Sequence, residues 1–93
     1  MMSDSERYNF NSYMSSGASW ERSAESCEWQ KDFLTAKSRY FDAMFAYEKA
    51  YNIARSADDY AEREAYSKME HCRRQASEMA YKYDDAVRRN LSM

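Results

Sequence analysis

Apolar residues recur along this chain at alternating steps of three and four. One series runs through Trp29, Phe33, Ala36, Tyr40, Ala43, Tyr47, Ala50 and Ala54. This spacing keeps all of them on one side of an α-helix and extends over more than three heptads, as in the seam of a coiled coil. Large residues fall on one seam position and Ala on the other, so Ala36, Ala43 and Ala50 would let a neighbouring helix come close. A second series runs through Ala65, Met69, Cys72, Ala76, Met79, Tyr83 and Ala86, with its heptad phase offset by one residue. An unbroken helix would keep one phase or shift it by a stutter of three or four residues, so a break is expected between the two series. Ser56-Ala57-Asp58-Asp59 has the form of a capping box, a Ser with an acid three residues later, and places the break near Ser56.

Folded back at that point, the two series meet in a single register. Trp29 pairs with Tyr83, Phe33 with Met79, Tyr40 with Cys72 and Tyr47 with Ala65, often large against small, as interdigitated packing requires. The pattern predicts an all-α fold, an antiparallel hairpin of two long helices over about residues 19–55 and 57–90. Ser19 is placed to cap the first helix, with Glu21 near the positive end of its macrodipole. Residues 1–18 are rich in Ser and Asn and hold the single glycine, Gly17, so they read as a flexible N-terminal arm to a hairpin domain of residues 19–93. The first helix carries more apolar surface than one neighbour can cover. An extra edge of Trp20, Cys27, Leu34 and Phe41, flanked by Met44, Phe45 and Tyr51, predicts self-association of two hairpins into a four-helix bundle, a homodimer.

Composition supports the helical assignment and changes the picture of the interior. There is one Gly and no Pro, which leaves little material for tight turns or sheet corners. Nine Tyr and seven Met, with many Ala, stand where Leu, Ile and Val usually do, giving a semi-polar interior of the kind found at interfaces. The net charge of −2 provides no field toward nucleic acid or an anionic membrane. The first twenty residues lack an apolar run and no stretch reaches membrane-spanning length, so neither a signal peptide nor a membrane anchor is expected. Two cysteines without a secretion signal fit a cytoplasmic protein.

Candidate chemistry is sparse. The one histidine, His71, shares a polar face with Glu64, Glu78 and Asp85 and reads as solvated. Glu21, Glu25 and Glu28 lie off the main series and also read as a solvated face. Cys27 and Cys72 lie on apolar series and read as buried thiols. No phosphate-cradling loop, nucleophile elbow or His-Glu-x-x-His run occurs, so neither enzyme activity nor a cofactor or metal site is expected.

What remains is surface. Tyr60, Arg74, Tyr81 and Arg88 follow one another at multiples of seven along the outer face of the second helix, and Tyr8, Phe10 and Tyr13 cluster with Met14 in the arm. Docking on the protein's own helices is the favoured use of that cluster and docking on a partner the other. Exposed aromatics and Arg are enriched where proteins meet. These seven aromatics and arginines are the expected partner-binding residues, while Trp20, Cys27, Leu34, Phe41, Met44 and Phe45 are the expected self-association residues. The functional expectation is a non-enzymatic protein-interaction module. Its size and chemical blankness suit a phage or mobile-element type of inhibitor that docks on a larger host protein. The alternatives are a self-assembling structural subunit and a weak nucleic-acid binder using Arg74, Tyr81, Arg88 and Arg89. Glu78, Asp84 and Asp85 border that last stripe and would repel phosphates.

Overall fold

Three helices, not two, make up the computed structural model, which describes residues 1–92: α1 (Asp4–Trp29), α2 (Phe33–Ala54) and α3 (Asp59–Ser92). They run up, down and up. α2 lies in the middle, packed against α1 along one side and α3 along another, while the backbones of α1 and α3 scarcely approach each other. The molecule is accordingly long and narrow, 58 × 18 × 13 Å.

This arrangement corrects the two-helix hairpin, the flexible arm and the four-helix bundle built on them. Residues 4–18 are helical and continue into α1. The chain signals this start with a true capping box at Ser3. Its Oγ accepts from the Glu6 amide (3.1 Å), and the Glu6 carboxylate accepts from the Ser3 amide (2.9 Å). Ser19 therefore lies inside a helix and caps nothing. Phe10 and Met2 are buried with Ala50, Ala54, Ala61 and Ala65, and Tyr13 and Met14 pack at the edge of that cluster. Arg7 reaches Asp58 in the turn between α2 and α3 (3.8 Å), tying the start of α1 to the turn at the same end of the molecule.

The expected first helix is broken at residues 30–32. Lys31 takes a left-handed conformation (φ 63°) and Asp32 caps α2 by accepting from the Thr35 amide. Such a backbone is uncommon outside glycine. The apolar series passed over this break because Trp29 and Phe33 are four residues apart, the same step the helix itself would take. The second break falls where expected, but Ser56 is its left-handed residue (φ 66°) and not the cap. Asp58 caps α3, accepting from the Ala61 amide.

The apolar faces expected on α2 and α3 are buried, with the Tyr51 ring against that of Tyr66 and Lys82 over Phe33. Ala36, Tyr40, Ala43, Tyr47, Cys72, Ala76 and Met79 form one buried cluster with Ala24 of α1, and Phe33 and Met69 pack against it. Ala36, Ala43, Ala46, Ala50 and Ala54 are all buried on α2, so small side chains let both outer helices come close to the central one. The pairing of Trp29 with Tyr83 fails. Trp29 is 89% exposed, and α3 runs on past the start of α2.

Candidate functional site

The groove between α1 and α3 is floored by two tyrosines of α2, and their hydroxyls meet acids of α1. Tyr47 donates to Glu21 Oε1 and Tyr40 to Glu28 Oε1, both at 2.9 Å. The acids are seven residues apart, as are the tyrosines, so one antiparallel register forms both pairs. From α3, Lys82 donates to Glu28 Oε2 (2.9 Å), and His71 Nε2 lies 3.6 Å from Glu21 Oε2. Burial, and then the neighbouring carboxylates, push both phenols well above their ordinary range. Burial disfavours the Glu28 carboxylate, but hydrogen bonds from Lys82 and Tyr40 outweigh it and hold its carboxyl below the usual value. Glu21, Glu28 and His71 are thus not a plain solvated face. They form a polar ladder that joins the outer helices through the central one. Sequence reasoning missed this role because it placed residues 19–55 on one helix, where no acid can reach a tyrosine two turns or more away.

The ladder is already saturated with partners. Among the described residues no buried side-chain nitrogen or oxygen lacks one, and no three potential metal ligands converge. An open cleft of about 660 Å³ lies at one end of the groove between Glu28, Trp29, Lys31, Phe33 and Lys82. Its Lys82 is committed to Glu28.

The thiols behave differently from one another. Cys72 is fully buried in the main cluster, and burial together with nearby Glu21 pushes its pKa up to about 12. Cys27 is half-buried at the cluster's edge. At about pH 8 a thiol-reactive dye is expected to label Cys27 first and Cys72 only as the protein opens. Equal native rates, with both thiols fast, would contradict the burial of Cys72.

Of the expected self-association residues, two stand on an open side of α2, Leu34 and Phe45. Phe41 lies at the edge of that side, half-buried and packed against the main cluster. Leu34 is 54% and Phe45 51% exposed, and the Phe41 and Phe45 rings stack with centroids 6.4 Å apart. Trp20 stands beside this face on α1, with the Arg39 guanidinium 5.1 Å over its ring. Cys27 and Met44, like Phe41, pack against the main cluster.

The expected partner-binding residues are dispersed. Tyr60 and Tyr81 are strongly exposed on α3, and Arg74 and Arg88 are exposed along the same helix. Tyr8 is exposed on α1, Phe10 is buried, and Tyr13 is half-buried with Lys49 over its ring (5.6 Å). Phe10 therefore belongs to the interior, because the segment that holds it is helix packed on α2. A further exposed stripe, Tyr83, Val87 and Leu91, lies where α3 overruns α2.

No protein-family model, no curated protein and no solved structure matches this chain. No helix among the described residues is long and apolar enough to cross a membrane.

Proposed function

We propose that this chain is a non-catalytic protein-interaction module that docks through the open face of α2. The observation that supports the reading is the placement of the exposed Leu34 and Phe45, with the half-buried Phe41 ring stacked on Phe45. Large apolar side chains remain at the surface of the central helix, although the chain has Ser, Glu and Lys in abundance for solvent-facing positions. Contiguous exposed apolar surface on a small protein marks a contact site more often than a random scatter does. The rim suits docking as well, since Trp20 and Phe45 border a shallow depression shared with Tyr13, Asp42 and Lys49. Aromatic anchors within a polar surround are the usual make-up of an interface centre. The partner is a second copy of the chain or a larger protein whose activity the docked module alters.

The test is site-specific photocrosslinking in cells that make the protein. A benzophenone amino acid in place of Phe45 is expected to give one discrete adduct. The same group in place of the exposed Ser67 on α3 serves as the control and should give none. Adding Leu34→Asp should abolish the adduct from position 45 while leaving the helical circular dichroism intact. Absence of any adduct from position 45 would sink the reading.

A further inference from the structure

We infer that the occupant of the α2 face is a second copy of this chain, packed antiparallel about a two-fold axis that passes between the Phe41–Phe45 pairs. The inference rests on the docking reading above and names its partner. Lys37 and Glu48 stand on the same edge of the apolar strip, eleven residues and so about three turns apart. Neither has a hydrogen-bond or ion-pair partner within the described chain, and they are too far apart along one helix to pair with each other. A two-fold axis perpendicular to a pair of antiparallel helices returns each edge of the face to the same side. The register that lays Phe41 of one copy on Phe45 of the other brings Lys37 almost level with Glu48 across the contact. The axis then repeats the pair, so one unpaired cation and one unpaired anion per chain become two ion pairs flanking four phenylalanines.

This face is self-complementary in charge, as an isologous contact requires. A foreign partner would need to supply an acid and a base at the same eleven-residue separation, which the chain itself already carries. α2 is 22 residues long. A single helix pair of that length falls near the lower limit of a specific interface, on the order of 1,000 Å², so the dimer is a weak one with dissociation in the micromolar range.

Sedimentation equilibrium on the full chain is the test, with charge reversals at the two flanking positions. The wild type is expected to be dimeric at about 200 μM and to dissociate near 1 μM. Lys37→Glu places two acids opposite each other twice, and Glu48→Lys does the same with two bases. Each alone should weaken association roughly tenfold or more. An equimolar mixture of the two variants restores both pairs in the heterodimer and should recover association to within about threefold of wild type. Glu48 is exposed and Lys37 half-buried on α2, and unchanged thermal melting of each variant separates lost association from lost folding. A wild type that stays monomeric at about 500 μM overturns the inference, and so does a dimer indifferent to the charge reversals. The crosslink from position 45 then decides the fate of the parent reading. An adduct with a larger protein, from a chain that is monomeric, leaves the docking face standing and removes only the second copy. No adduct at all removes both.

Discussion

Raising the pH from about 9 to about 12 is expected to unfold this protein, and the cause lies in three buried acids that sit close together. Cys72, Tyr40 and Tyr47 belong to one cluster and are at most 2% exposed. In the unfolded chain a thiol ionises near pH 8.5 and a phenol near pH 10. In the folded chain burial holds the thiol at about 12 and both phenols far above their usual range, with Glu21 and Glu28 opposing ionisation further. The folded state therefore retains protons that the unfolded state gives up. Its stability is intact below about pH 8.5 and declines as the pH rises past each unfolded value. Each group contributes a loss of about 1.4 kcal/mol per pH unit, so above pH 10 the three together remove roughly 4 kcal/mol per unit. A stability of about 5–10 kcal/mol, the lower part of the range for a chain of this size, is exhausted between about pH 10.7 and 12, which places the midpoint there. Far-UV circular dichroism and phenolate absorbance should change together in that window. Tyr40→Phe combined with Tyr47→Phe should reduce the slope above pH 10 to about a third. An unchanged slope would show that the buried phenols are not responsible.

That ladder was the least legible part of the structure from the sequence, and the reason is local. Periodicity reports which residues share a helical face, and it reported this well for Ala36 through Ala54 and for Ala65 through Met79. It does not report where a helix stops when the turn occupies a whole number of helical steps. Trp29 and Phe33 keep the four-residue step across Lys31 and Asp32, and the turn uses Lys31 where a glycine would have announced it. Once that turn is missed, Glu21 and Tyr47 seem to lie on the same helix, far apart. With the turn in place they face each other at hydrogen-bonding distance. The same omission lengthened the first helix at the expense of the N-terminal segment, whose Ser3-Glu6 capping box is as clear a signal as Ser56-Asp59 and, unlike it, forms.

The exposed side of α2 followed a different logic. Leu34, Phe41 and Phe45 were identified as surplus because no single neighbour could cover so wide an apolar arc, and that reasoning does not depend on which helix the neighbour is. Two neighbours do pack on α2, and Cys27 and Met44 lie against the cluster they form. The arc is still wider than they can cover. What the sequence could not supply is the position of Lys37 and Glu48 relative to α1 and α3, which decides that both stay outside and unpaired.

Replacing Tyr47 by Ala is expected to have the largest effect of any single substitution, and Gly17 provides the means to prove why. The Tyr47 ring is 1% exposed, lies in the cluster shared by all three helices and bonds Glu21 through its hydroxyl. Removing it leaves a cavity and an acid without its donor, at a cost of about 3–5 kcal/mol. The melting temperature should fall by at least roughly 12 °C. The ring fits only because residue 17 has no side chain. A Cβ there would stand 2.6–2.8 Å from three ring atoms, closer than carbon atoms tolerate. In an open helix Gly→Ala stabilises by about 1 kcal/mol. At position 17 overpacking costs about 1–3 kcal/mol and cancels or reverses that gain. The two substitutions should therefore be strongly non-additive. Gly17→Ala alone should be neutral or destabilising, yet in the Tyr47→Ala background it should recover about 1 kcal/mol, because the propensity gain returns when the ring is gone. A urea-denaturation cycle over the four proteins measures this. If Gly17→Ala stabilises the wild type as much as the Tyr47→Ala variant, the ring does not rest on α1 at that point, and the close approach of α1 to α2 must be sought elsewhere along the helix.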